Sequence, residues 1–246
     1  MDRTRVKSGQ KIGEVRRGSR RLFLALWLSL AVMALLKPEL STAGTGSPGG
    51  QSKGRYWLDA GYQRDIEADE RKRDAEYDEG RVLDVAGVKA GMTVGEVGAG
   101  NGYFTLKLAD RVGPAGRIYA NDIVEDFLAE LRDRAKRQNL SNVETVLGTE
   151  TDPRLPKGKL DMVFLVRSFH DLSEPVLIME RIAASLKPGG KAVVVEIEYE
   201  APDGKSSRPQ TRRQYLDLVG RTRFTVEKID KSLPNPSSLV LILAPK

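Results

Sequence analysis

Three groups of residues have the types and spacing to do chemistry. The first is an acid followed by alternating glycines, Glu96-Val97-Gly98-Ala99-Gly100-Asn101-Gly102. Glycine tolerates positive φ and lets a ligand approach the backbone, and a helix starting directly after such a loop offers free N–H groups to an anion or carboxylate. The second is Asp122, about 20 residues beyond the glycines, a carboxylate able to accept two hydrogen bonds at once. The third is Arg167-Ser168-Phe169-His170-Asp171. His170 and Asp171 are candidates to deprotonate or orient a bound molecule, because histidine titrates near neutral pH; without chemistry, His170 would pack or cap the following turn. No cysteine is present and His170 is the sole histidine, which excludes disulfides, thiolate metal sites, cysteine nucleophiles and histidine-rich metal centres.

The surrounding pattern predicts elements that would bring these groups together. A β-type run, Thr93 to Val97, ends at the glycines, and a helix follows from about Tyr103 to Arg111. Strand two, Arg117 to Asn121, closes on Asp122; a helix over Val124 to Gln138 places Val124, Leu128, Leu131 and Ala135 on one face. Strand three is Val143 to Leu147 and strand four the almost wholly apolar Leu160 to Val166, as a central parallel strand should be. Ser173 reads as an N-cap, with Pro175 early in a helix to about Leu186. Lys187-Pro188-Gly189-Gly190 is placed for a type II turn before strand five, Lys191 to Glu198. A helix near Arg212 to Val219 precedes two strands, Phe224 to Ile229 and Leu239 to Leu243, joined closely enough for a hairpin. Strands alternating with helices imply parallel pairing, and the last two strands imply one antiparallel edge.

A dinucleotide fingerprint wants G-x-G-x-x-G, but the third glycine here comes one residue early and Tyr103 stands at the expected place. The acid plus G-x-G-x-G loop resembles the first motif of class I S-adenosylmethionine-dependent methyltransferases, and the later motifs fall in that family's order over roughly Arg81 to Ala244. The resemblance implies an α/β three-layer sandwich with a mostly parallel seven-stranded sheet, order 3-2-1-4-5-7-6, ending in the antiparallel hairpin. It implies S-adenosyl-L-methionine as cofactor, with Glu96, Gly98, Ala99, Gly100 and Gly102 around its amino-acid part and Asp122, followed by Ile123, on the ribose hydroxyls. In Gly148-Thr149-Glu150-Thr151-Asp152, an acid would sit beside the adenine; Glu150 and Asp152 both remain candidates. Arg167 leaves strand four, whose end borders the transferred methyl group, so it joins the cofactor set while His170 and Asp171 are the catalytic candidates. No metal is expected.

Residues 1–41 read as a basic leader with an apolar run from Leu22 to Leu36, 15 residues broken only by Ser29. Roughly 20 apolar residues cross a bilayer. Ser19-Arg20-Arg21-Leu22-Phe23-Leu24 looks like a twin-arginine export signal and Ser41-Thr42-Ala43 like a cleavage site. The alternative is an uncleaved anchor that would place the domain across the membrane, with membrane contact through this segment. Residues 42–54 form a Gly/Ser-rich linker, residues 55–90 a helical cap with Tyr56, Trp57 and Tyr62 as lid candidates, and residues 91–246 the core. The cap's Glu67–Arg71 and Asp69–Arg73 pairs sit at helical spacing. Of the net charge of +6, the stretch to Lys37 accounts for +7, leaving the remainder at −1. A near-neutral domain lacks the clustered basic footprint that duplex nucleic acid requires, so no nucleic-acid partner is expected. The methyl acceptor is unidentified; the rival functions are a non-catalytic S-adenosylmethionine-binding module and a nicotinamide-dependent oxidoreductase.

Overall fold

A computed structural model describes residues 70–74, 78–199, 209 and 211–246. The expected leader, its linker and the aromatic residues at 56, 57 and 62 lie outside these residues.

Helix α1 (Glu79–Ala86) starts at Asp78, whose side chain accepts the Arg81 N–H at 3.0 Å, and buries Val82, Leu83 and Ala86. Strand β1 (Thr93–Val97) leads through the glycines into α2 (Tyr103–Val112). Then come β2 (Arg117–Asp122), α3 (Glu125–Arg137), β3 (Val143–Leu147), β4 (Leu160–Val166), a single 3-10 turn at Phe169–Asp171, α4 (Pro175–Ser185), β5 (Leu186–Ile197), α5 (Arg212–Gly220), β6 (Phe224–Asp230) and β7 (Ser238–Pro245). Each helix carries its own local signal. The α3 helix has Glu125 and Asp126 in its first turn and Arg134, Lys136 and Arg137 in its last, complementing the helix dipole. In α5, Thr211 and Gln214 form a reciprocal capping box. Pro175 opens α4, but the N-cap is Glu174 rather than the expected Ser173, and its side chain makes no capping bond.

The sheet has the expected order β3-β2-β1-β4-β5-β7-β6. All pairs from β3 to β5 are parallel; β7 runs antiparallel to both β5 and β6. The turn expected at Lys187–Gly190 lies inside β5. Leu186 pairs with Leu160 and Lys191 with Met162, so the residues between bulge out, with Gly189 at φ 78°.

Central strands bury both faces. One face packs α1, α2 and α3 through Val82, Phe104, Leu108, Leu128 and Leu131; the other packs α4 and α5 through Met179, Ile182, Tyr215 and Val219. Each such side chain contributes about 1.5–3 kcal/mol by leaving water. These two apolar layers clamp the sheet and fix where its strand ends emerge.

Candidate functional site

The chain reverses its order across the sheet between β1 and β4, so their carboxyl ends diverge and leave a crevice there. The chemistry-bearing loops from the sequence meet at this edge.

The glycine loop is held by its own hydrogen bonds. The Gly98 and Ala99 N–H groups both donate to the Asn121 carbonyl at 2.9 Å, Gly102 N–H donates to the Ala99 carbonyl at 3.0 Å, and Gly100 N–H donates to Asp122 Oδ2 at 2.8 Å. These amides are committed to shaping the bend. At Gly98 (φ 78°) a Cβ would stand 2.4 Å from Ser168 Cβ, whereas around Gly100 there is open space for a ligand to approach the backbone. Ser168 Oγ donates to the Val97 carbonyl at 2.6 Å, clasping the end of β4 to the end of β1.

Asp122 serves two amides: Oδ2 accepts from Gly100 and Oδ1 from Val124 N–H at 3.0 Å. Its position therefore combines the loop-holding and helix-entry roles, while lone pairs remain on both oxygens for a further donor. Burial raises its pKa and the backbone donors oppose the shift. Glu96 is buried under the loop, with Oε2 accepting from Thr105 Oγ1 at 2.5 Å. Burial pushes its pKa up to about 8; the Thr105 bond opposes this and the Asp122 charge adds to it.

Ile123 lies beside Asp122 and is 38% exposed. The loop after β3 joins this neighbourhood through Gly148 N–H on the Asp122 carbonyl at 2.9 Å. Within that loop Asp152 is occupied by its own turn: its N–H donates to Thr149 Oγ1 at 3.0 Å and its Oδ1 accepts from Arg154 N–H at 2.8 Å. Glu150 is half-buried in the same loop.

Across the crevice, Arg167 takes φ 57°, an unusual backbone for a side chain of this size, while its N–H donates to the Val195 carbonyl at 2.8 Å. His170 is brought together with Asp171, as expected, and with Glu196, which sequence reasoning missed. The His170 Nδ1 lies 2.9 Å from Glu196 Oε2, its backbone N–H donates to Glu196 Oε1 at 3.2 Å, and Nε2 is 3.4 Å from Asp171 Oδ2. The Glu196 carboxylate favours a ring proton on Nδ1, and Nε2 faces Asp171 at the mouth of the crevice. Burial works to lower the His170 pKa, but the Glu196 hydrogen bond and charge, with Asp171, outweigh it and raise it above 6.5. Glu196 is itself 1% exposed and neighbours buried Tyr215, whose hydroxyl is pushed upward by burial and by the Glu196 charge. A buried acid within a strand otherwise rich in valine was the available signal for this contact.

A capping layer closes over the loop. Residues 70–74 are helical. Glu70 pairs with Arg134 at 2.6 Å, and Arg134 also donates to the Asn101 carbonyl at 3.1 Å. Tyr103 Oη donates to Asp74 at 2.9 Å, and Lys107 reaches Asp74 at 2.5 Å and Glu79 at 3.0 Å. Beneath lies a small cleft with apolar walls from Val82, Phe104, Val166 and Val195, and with Arg73, Tyr103, Arg167 and Glu79 at its polar positions.

This arrangement fits a nucleoside-bearing cofactor: a bare backbone bend facing open space, an acid with lone pairs to spare, and a switch-point crevice. Comparison with known proteins agrees. Residues 94–190 match a family model described as a methyltransferase domain. A protein-L-isoaspartate O-methyltransferase from Methanothrix thermoacetophila is 30% identical over 113 residues, 46% of this chain and 51% of that one. A demethylmenaquinone methyltransferase from Lactococcus lactis is 26% identical over 109 residues, 44% of this chain and 43% of the relative. The chain spans about half the length of the curated relatives it matches. The crystal structure of a SAM dependent methyltransferase from Aquifex aeolicus superposes with a TM-score of 0.65 at 25% identity, covering 72% of this chain and 95% of that one.

Proposed function

We propose, for a chain that carries a class I S-adenosylmethionine-dependent methyltransferase domain, that it moves a methyl group to a small-molecule acceptor held where β4 and β5 end. The carrying observation is the clasp of Asp122 on Gly100 N–H at 2.8 Å, which sets a carboxylate beside a bare bend of backbone at the switch point.

When bound, S-adenosylmethionine supplies an electrophilic methyl group on a sulfonium. The chain's own residues do the rest. The loop from Gly98 to Gly102, already rigid through its internal bonds, receives the amino-acid part, with Glu96 beneath. Asp122 offers its remaining lone pairs to the ribose hydroxyls, and Ile123 offers an apolar surface next to them. Glu150 and Asp152, in the loop that Gly148 ties to the Asp122 carbonyl, are the acids available to the adenine. Arg167 stands at the methyl-bearing end. His170 Nε2 takes the proton from an acceptor hydroxyl, with Glu196 holding the ring and stabilising the imidazolium. Much of the acceleration comes from holding the acceptor in line.

Among the similar chains, the demethylmenaquinone methyltransferase supports a small-molecule acceptor. Calorimetry of the full chain with S-adenosylhomocysteine and with NAD tests the reading. Binding of S-adenosylhomocysteine is expected, weakened about tenfold or more by Asp122→Ala; binding of NAD alone rejects it. Release of S-adenosylhomocysteine on adding cell extract distinguishes an enzyme from a binding module. Residues 1–41 are proposed as an export leader or membrane anchor, a reading supported by the twin arginines before the apolar run. Fractionation with N-terminal sequencing checks it.

A further inference from the structure

Tyr215 takes no step in the proposed chemistry, yet the fold aims it at a group that does. The Thr211–Gln214 capping box fixes the first turn of α5, and the Tyr215 N–H closes that turn on the Thr211 carbonyl at 3.0 Å. Side chains along a strand alternate between its two faces. On β5, Val193 and Val195 join the layer of α1, α2 and α3, whereas Ala192 and Val194 join the layer of α4 and α5 that contains Tyr215. Glu196, next in the second series, faces the same way. Both Glu196 and Tyr215 are 1% exposed, and the Tyr215 hydroxyl is hydrogen-bonded to Glu196. Among the described residues, the buried side-chain oxygens left without a partner are Glu79 Oε1 and Ser238 Oγ, so the Tyr215 hydroxyl is not an orphan. The Tyr215 ring also lies against Phe169, centroids 6.3 Å apart, and so braces the 3-10 turn that carries His170.

We propose that Tyr215 is a positioning residue for the His170 base: its hydroxyl donates to the Glu196 carboxylate, holds it on the ring and takes up part of its negative charge. This rests on the methyltransferase reading above for the reaction served, while the proton equilibrium itself exists without a cofactor. Glu196 meets donors from His170 Nδ1, the His170 backbone N–H and the Tyr215 hydroxyl. A buried carboxylate is tolerated only when supplied in this way. The donors do not weigh equally in both states of the pair. With His170 protonated, the imidazolium balances the carboxylate. Once His170 gives up its proton, a net negative charge stays behind in a dry site, and there the tyrosine donor counts most. The hydroxyl therefore favours the deprotonated pair and offsets part of the upward pull of Glu196 on the imidazole. The other charged groups facing the ring are Asp171, beside Nε2, which adds to that pull, and Arg167 at the end of β4, which opposes it. Burial and the Glu196 charge push the Tyr215 hydroxyl upward, so it stays protonated and donates throughout the range in which His170 titrates.

The test is an NMR titration of the full chain. His170 is the sole histidine, so its ring resonance is unambiguous. The wild-type midpoint is expected above 6.5. Tyr215→Phe should raise it by about half a pH unit or more, because the deprotonated pair loses a donor. Replacing Tyr215 by 3-fluorotyrosine, a stronger donor of nearly the same shape, should lower it below the wild type. A role confined to packing predicts the opposite for Tyr215→Phe: a loosened site frees His170 from Glu196 and Asp171, and the midpoint falls towards 6.5 or does not move. A midpoint that is unchanged or lower in Tyr215→Phe overturns the proposal. So does one that fails to fall with 3-fluorotyrosine, and this second arm decides the matter alone if Tyr215→Phe does not fold. Calorimetry of the same samples with S-adenosylhomocysteine separates the two readings. Expected midpoint shifts in a protein that ignores S-adenosylhomocysteine refute the methyltransferase reading and leave the role of Tyr215 standing; normal binding with unmoved midpoints refutes the role of Tyr215 alone.

Discussion

At the scale of single residues, two buried carboxylates have opposite duties. Glu196 is charged in the service of His170: it fixes the ring by Nδ1 and raises the imidazole pKa above 6.5. A general base must be unprotonated, so kcat/KM should rise with pH through that raised value. Glu196→Gln removes the anion, and the midpoint of the rise should move to lower pH while the plateau falls; a purely structural role would lower the plateau without moving the midpoint. His170→Ala should cost roughly 10²-fold or more in rate. Both are measured on the acceptor revealed by S-adenosylhomocysteine release. Glu96 has the reverse problem. Its folded pKa of about 8 exceeds the unfolded value of 4.5, so the unfolded chain loses the proton first and stability falls as pH rises from 4.5 to 8. Glu96→Gln should flatten that dependence and raise stability above pH 8 by on the order of a few kcal/mol, read by denaturant titration across the pH range. An unchanged pH slope would mean that the ionised side chain is solvated or paired in the native state.

At the scale of elements, the site depends on α3 lying close against the glycine loop. Leu131 is fully buried, and a Cβ on Gly102 (φ 93°) would stand 2.2 Å from its Cδ1. Gly102→Ala should therefore both strain the backbone and push α3 off the loop, costing about 1–3 kcal/mol of stability with a loss of S-adenosylhomocysteine affinity. Calorimetry and thermal unfolding of the same sample check both. The elements were well marked in the sequence because their signals are local. Periodicity placed Leu128, Leu131 and Ala135 on the buried stripe of α3, the apolar run gave β4, and alternating glycines marked the bend. Less local features were harder to read. The turn at Pro188-Gly189 became a bulge inside β5 because pairing with β4 resumes directly beyond it. Glu196 is 26 residues from His170, and nothing in the spacing says that a strand terminus and a short turn will meet. Glu79 looked like one more solvated charge among Asp78, Arg81 and Asp84; only the packing of α1 against α2 takes it out of water.

At the scale of the whole molecule, the binding edge is made from two halves of the chain. β1, β2 and β3 supply the glycine bend and Asp122, while β4 and β5 supply Arg167, Ser168 and the His170–Glu196 pair. Ser168 Oγ on the Val97 carbonyl joins residues 71 positions apart. That single long-range bond has a temporal consequence. A growing chain leaves the ribosome amino end first, so the bend exists as a sequence well before its opposite wall has been synthesised. Until Ser168 has emerged and β4 has docked against β1, one bank of the crevice is missing. A ligand of this crevice can only be captured late in synthesis, and a chain interrupted before β4 would carry the glycine bend while having no place to keep one.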